Sequence, residues 1–205
     1  MSFYEDHCLP HLINLACNIK PVRKQREKVV PLAEGRVLEV GMGPGLNIPF
    51  YDPARVELVW GLEPAEAMRK KAAPLLAQAP FDVEWLGLPG EEIPLDDNSA
   101  DTVLLTYTLC TIPDWLAALE QMRRVLKPSG KLVFCEHGLA PDAGVRKWQQ
   151  RLNPLWMKFA GGCHLNRPIP DYLRQGGFAI QTMESMYIPG PKIAAFNYWG
   201  VATGG

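Results

Sequence analysis

Val37-Leu38-Glu39-Val40-Gly41-Met42-Gly43-Pro44-Gly45 decides how this chain is read. A short apolar run of this kind, closed by glycines, predicts a buried strand that turns sharply at its carboxyl end. Outward from it the pattern alternates. Strands are expected at Val56–Leu62, Val83–Leu86, Thr102–Thr106 and Lys131–Cys135, with helices at Ala65–Ala77 and Pro113–Leu126. The second helix has a clear stop: Arg123, Arg124 and Lys127 suit the negative end of its dipole, and Pro128 and Gly130 follow. Apolar strands alternating with helices predict a mostly parallel sheet covered on both faces, with its ligand crevice at the strands' carboxyl ends. Beyond Glu136 the alternation weakens to a helix at Val145–Phe159 and two late strands, Phe178–Met183 and Asn197–Thr203. Residues 1–34 read as mainly helical, a lid over the open end of the sheet, and their basic residues Lys20, Arg23, Lys24, Arg26 and Lys28 read as a solvated face.

The glycine spacing narrows the ligand. A dinucleotide loop has GxGxxG and seats a pyrophosphate on a helix N-terminus. Here the spacing is GxGxG, and an acid, Glu39, precedes the first glycine by two residues. A carboxylate repels a pyrophosphate and attracts a ligand carrying an ammonium and a sulfonium. Unit charges about 4 Å apart interact by roughly 1 kcal/mol in water and by more in a drier site. The pattern therefore favours S-adenosylmethionine (SAM) over a nicotinamide cofactor. Glu63, at the end of the second strand, stands about 20 residues beyond the loop, where an acid can hold both ribose hydroxyls of an adenosine. A structural turn with a solvent-facing glutamate would account for either acid alone; their combination favours the cofactor.

The ordered blocks Glu39-x-Gly41-x-Gly43-x-Gly45, Glu63-Pro64-Ala65-x-x-Met68, Gly90-Glu91-x-Ile93-Pro94-Leu95-x-Asp97 and Met122-x-Arg124-Val125-Leu126-Lys127-Pro128 resemble the class I SAM-dependent methyltransferases over about half of the chain. The resemblance implies a Rossmann-like α/β fold with seven strands and SAM as methyl donor. It implies that Gly41, Met42, Gly43 and Gly45 pass under the methionine end with Glu39 nearby, and that Glu63 holds the ribose. Pro64 and Met68 would then pack near the adenine, Gly90 and Glu91 would border its edge, and Thr106 would lie near the methionine moiety. Pro89 departs from the pattern, because many relatives carry an Asp there for the adenine amino group.

Further on, Phe134-Cys135-Glu136-His137, Trp148-Gln149-Gln150, Gly162-Cys163-x-Leu165-x-Arg167 and Tyr198-Trp199-Gly200 are similar to a methyltransferase-like group that contains alkyl-thiol methyltransferases. That group's animal members carry an apolar N-terminal anchor; no comparable run is read in residues 1–34, so the resemblance does not carry membrane attachment over as an expectation. His137 is the candidate general base, since it follows the fifth strand at the ligand end. Tyr4 and His164 are candidate substrate residues. Tyr4, Trp148, Trp156, Phe159 and Phe196 are candidate aromatic lid residues.

These readings give one methyltransferase domain over 1–205: a helical lid (1–34), a cofactor-binding half (35–137), and a substrate-side insertion with the final strands (138–205). The expected activity is methylation of a small molecule, with a thiol as the candidate acceptor. A quinone-biosynthesis-type C-methyltransferase and a SAM- or S-adenosylhomocysteine-binding module without turnover are the alternatives. Composition fits. Of 205 residues, 47% are hydrophobic and 21% charged, and a net charge of -1 argues against a nucleic-acid partner. No apolar run reaches the roughly 18 residues of a membrane span. The five cysteines form no CxxC pair, so free thiols in a cytoplasmic setting are expected, and the spacing of the cysteines and histidines gives no metal site.

Overall fold

The computed structural model describes residues 9–205. Tyr4, His7 and Cys8 lie outside the described residues. The chain enters through α1 (Leu9–Cys17) and α2 (Lys20–Val29). The alternating core follows: β1 (Gly35–Val40), β2 (Val56–Leu62), α3 (Glu66–Leu76), β3 (Asp82–Leu86), β4 (Ala100–Thr106), α4 (Trp115–Val125) and β5 (Leu126–His137). It ends with α5 (Ala143–Phe159), α6 (Ile169–Gln175), β6 (Phe178–Tyr187), α7 (Lys192–Ala195) and β7 (Phe196–Gly204).

The seven strands lie in the order β3-β2-β1-β4-β5-β7-β6. The pairings among β1 to β5 are all parallel, and β7 runs against both β5 and β6. Strand order reverses between β1 and β4, which opens a crevice at their carboxyl ends. Alternation along β1 explains the two-layer core. Leu38 and Val40 point to one face, with Ala118, Leu119 and Met122 of α4 and Ile169 and Leu173 of α6. Val37 points to the other, with Val29, Val30 and Val133.

The expected elements are present, with differences at their ends and two short helices added. β5 begins at Leu126, directly after α4, because Leu126 pairs with Ala100 before the register shifts at the Pro128–Gly130 turn. α6 and α7 have no sequence reading: at seven and four residues their apolar stripes are too short to stand out. The basic stretch is also only partly solvated. α2 buries Val22, Gln25, Arg26 and Val29, a stripe at helical spacing that carries Arg26 inward. Lys28 lies over the Trp199 ring at 3.9 Å. Among the described residues, no helix is long and apolar enough to cross a membrane.

Candidate active site

Two chambers meet at the carboxyl ends of β1 and β4. The first is the glycine loop. Gly41 has φ +68° and Gly43 φ +57°, in the left-handed region where side chains are strained. A Cβ on Gly41 would lie 2.2 Å from Thr108 Cγ2, so this glycine lets two loops touch. A Cβ on Gly43 would meet nothing closer than 3.9 Å, so here the backbone faces open space. Glu63 closes the cradle. Its Oε2 accepts from Gly43 N–H at 3.0 Å, and its Oε1 accepts from Ala65 N–H at 2.9 Å. Burial raises its pKa against those two hydrogen bonds. An open left-handed backbone beside an acid at the end of β2 is a seat that fits an adenosine ribose and a cationic tail.

Glu39 plays a more inward part than its motif suggests. It is buried, its Oε1 accepts from Asn47 Nδ2 at 2.8 Å, and its Oε2 accepts from the Tyr51 hydroxyl at 2.6 Å. Burial pushes its carboxyl up to about 7, against the lowering effects of Tyr51, Arg26 and Asn47. Arg26 Nη1 donates to Asn47 Oδ1 at 2.6 Å and to Thr106 Oγ1 at 2.9 Å. Glu39 and Thr106 thus belong to one buried network that α2 completes. Asn47, Tyr51 and Arg26 were not found from sequence; only the closeness of Asn47 and Tyr51 to the glycine loop was a signal. Met68 is buried on α3. Gly90 is buried between Val40, Ile112 and Ala118, and Glu91 Oε1 accepts from Asp114 N–H at the start of α4.

The second chamber is an apolar cavity of about 350 Å³. Ile13, Ala16 and Cys17 of α1, Val22 of α2, Trp156 and Ala160, and the hairpin tip from Ile188 to Pro191 form most of its wall. Tyr107, Cys110, Thr111, His137, Cys163 and Asn197 supply its polar and sulfur groups. The chambers share one loop, since Thr108 touches Gly41 while Tyr107 and Cys110 face the cavity. That loop is held firmly. Tyr107 has φ +55°, unusual for a bulky residue, and its hydroxyl donates to Asn197 Oδ1 at 2.6 Å. Glu136 Oε1 accepts from Thr108 N–H at 2.7 Å and Leu109 N–H at 3.1 Å. Arg167, also buried, donates to the carbonyls of Leu109 and Ile112.

His137 is on this wall, as its place after β5 suggested. Its Nε2 lies 3.1 Å from Cys163 Sγ, and Cys163 Sγ lies 3.6 Å from Cys110 Sγ. The sequence did not reveal this trio, because Cys110 and Cys163 stand 53 residues apart. The Cys110 contact, then His137, pulls the Cys163 thiol down. Burial opposes protonation of His137, and Cys163 turns its net shift upward. His164 is off the cavity wall. Its ring stands by Asn153, 3.3 Å from Nδ2, and its peptide N–H donates to Cys110 O at 2.8 Å. Of the aromatic lid candidates, Trp156 lines the cavity, Phe196 packs against Tyr187 and Tyr198, and Trp148 and Phe159 are exposed.

Gln149 ties this side together from within α5. Fully buried, its Nε2 lies within 3.0 Å of the carbonyls of Gly138, Leu165 and Ile193, and its Oε1 accepts from Ala140 N–H at 3.0 Å.

A mostly parallel sheet with one reversed strand, a glycine loop after β1 and an acid after β2 define a class I methyltransferase. A methyltransferase-domain family matches residues 38–134. Human thiol S-methyltransferase TMT1B is 34% identical over 179 residues, which cover 82% of this chain and 72% of the human one. The ubiquinone/menaquinone biosynthesis C-methyltransferase UbiE of Geobacter sp. (strain M21) is 32% identical over 134 residues, 62% of this chain and 56% of its own. A crystal structure from Thermotoga maritima, a SAM-dependent methyltransferase described as a possible histamine N-methyltransferase, has the same fold: TM-score 0.68 at 20% identity, covering 97% of this chain and 98% of the other. The chain belongs to the SAM-dependent methyltransferase family, and its cofactor is S-adenosylmethionine.

Proposed function

We propose that this protein methylates the sulfur of small apolar thiols. The observation that carries this reading is the second chamber: an apolar cavity of about 350 Å³, one loop away from the glycine cradle, whose wall brings together two thiols and an imidazole. That volume is at the low end for small-molecule sites. It suits a compact acceptor better than a long isoprenoid quinol. The 34% identity to human thiol S-methyltransferase TMT1B supports the same reading.

When bound, S-adenosylmethionine supplies a methyl group already activated by a sulfonium. The protein's task is to orient and to exclude water. Gly41, Met42, Gly43 and Gly45 would receive the methionine end. Glu63 would give up its hydrogen bond from Gly43 to hold the ribose, with Pro64, Met68, Gly90 and Glu91 around the base. Glu39 would act through Asn47 and Tyr51, fixing the loop rather than touching the ligand. The apolar walls from α1, α2 and the β6–β7 tip would keep water from the acceptor sulfur.

Incubation with S-adenosylmethionine and a panel of alkyl and aryl thiols, a phenol and a short-chain demethylquinol checks this. S-adenosylhomocysteine is expected to form fastest with the thiols, by about tenfold or more. Faster turnover of the quinol would replace the proposal with C-methylation, and no turnover with any acceptor would leave a binding module.

A further inference from the structure

We infer that Cys110, His137 and Cys163 form a zinc site whose fourth position opens into the acceptor cavity, where the acceptor thiol binds the metal as its thiolate. The inference rests on the thiol reading for the identity of the fourth ligand, and on geometry alone for the metal. One donor atom from each residue lies within 4.8 Å of the others. With Zn–S of about 2.3 Å and Zn–N of about 2.0 Å, a tetrahedral ion separates its donors by about 3.5–3.8 Å. The observed Sγ–Sγ separation is 3.6 Å and the Nε2–Sγ separation is 3.1 Å. Small side-chain rotations bring the trio onto one ion.

The donor chemistry selects the metal. Two sulfurs and one imidazole are a soft set, suited to zinc and poor for magnesium or calcium. Three protein ligands with a vacant fourth direction are the mark of a reactive zinc rather than a structural one. All three residues line the cavity, so that direction leads into the chamber where the acceptor must sit. The ligands are also held by firm elements. Cys110 lies on the loop fixed by Glu136 and Arg167, His137 ends β5, and the peptide N–H of His164, next to Cys163, is tied to Cys110 O. Packing of this kind keeps a site in shape before the metal arrives.

The metal would also settle where the acceptor's proton goes. An incoming thiol forms a sulfur–zinc bond as its S–H bond breaks, the proton leaves to bulk water, and no side chain has to take it. His137 is then a ligand rather than a general base. The metal keeps the sulfur as thiolate inside an apolar chamber that would otherwise favour the neutral thiol.

Metal binding and methyl transfer are read separately. The reduced, metal-stripped protein, kept in a phosphine reductant, is titrated with zinc against a chromophoric chelator. One equivalent is expected in the wild type, with at least a tenfold loss of affinity in Cys163→Ser and in Cys110→Ser, both checked for folding by circular dichroism. The wild type loaded with cobalt(II) provides a second readout that needs no variant: a thiolate-to-cobalt charge-transfer band that grows when benzyl mercaptan is added. Folded, reduced wild type that takes up no stoichiometric metal overturns the site, even if thiols are methylated. A cobalt band that benzyl mercaptan leaves unchanged overturns the open fourth position. Stoichiometric metal with no thiol turnover upholds the site and removes the functional reading instead.

Discussion

The two chambers that share the loop at Thr108 are built in opposite ways. The proposed cofactor side is polar and comes from neighbours in sequence: the glycine loop follows β1, Glu63 follows β2, and Asn47 and Tyr51 lie just past the loop. The proposed acceptor side is apolar and is gathered from α1, α2, the loop after β4, the end of β5, the end of α5 and the β6–β7 tip. A group that must grip one unchanging cofactor can be written as a compact motif. A cavity that must fit one acceptor among many is written across the whole chain.

The contrast can be tested by perturbing each side alone. The largest effect is expected on the acceptor side, at Gln149. Gln149→Leu removes two amide hydrogens shared among three carbonyls and the acceptor of one N–H, at about 1–3 kcal/mol for each buried group that water cannot reach. A loss of about 4 kcal/mol is expected in chemical denaturation. A loss below about 1 kcal/mol would mean that water replaces the side chain and that the acceptor side is looser than described.

On the cofactor side, Glu39 makes stability depend on pH. In the folded chain burial keeps its proton up to about pH 7, against 4.5 ordinarily. Between those values Glu39 holds more proton in the folded state than in the unfolded one, so this group's contribution to stability is fullest below about pH 4.5 and is lost as pH rises through 7. The group's share of that decline is of the order of 3 kcal/mol. Denaturation of the wild type and Glu39→Gln from pH 5 to 8 measures it. The variant should show a shallower fall, keeping the part due to Glu136, which burial also raises to about 7. Equal slopes would show that Arg26 and Tyr51 keep Glu39 ionised throughout.

Glu63→Ala removes the proposed ribose acceptor. S-adenosylmethionine binding by calorimetry should weaken by about 2 kcal/mol, roughly thirtyfold, while the acceptor KM holds steady. A change confined to the acceptor would reverse the assignment of the chambers. The smallest effect is reserved for Ala160→Phe, which fills part of the cavity. It should raise the KM of a bulky thiol about tenfold, or roughly 1.4 kcal/mol, and leave cofactor affinity alone. Equal loss of both affinities would show that the chambers are not independent.

The same contrast explains what could be read in advance. β1, β2 and their acids were legible because an apolar strand, a turn and a charge follow one another within a few residues. The edges of the sheet were legible too, and even the late strands β6 and β7 were found, though both run longer than expected. Arg26 looked like one more solvated base because sequence gives the stripe of α2 but not what that stripe meets, here Asn47 and Thr106. Cys110 and Cys163 were unremarkable as isolated cysteines; only the fold places them beside His137. Gln149 lay in a noted Trp-Gln-Gln stretch, yet nothing about a glutamine in a helix announces that it will join three separate loops.

The reversal of β7 has a further consequence. Because β6 runs with the parallel strands and β7 against them, the turn between the two emerges at the crevice rather than at the far end of the sheet. Ile188 to Pro191, Ala194 and Ala195 in that connection wall the proposed acceptor cavity while lying outside every parallel pairing. Connecting segments of this kind tolerate insertions and deletions better than the elements they join. In the proposed reading this connection is a stretch of acceptor wall whose length can change without touching the seat proposed for the methyl donor.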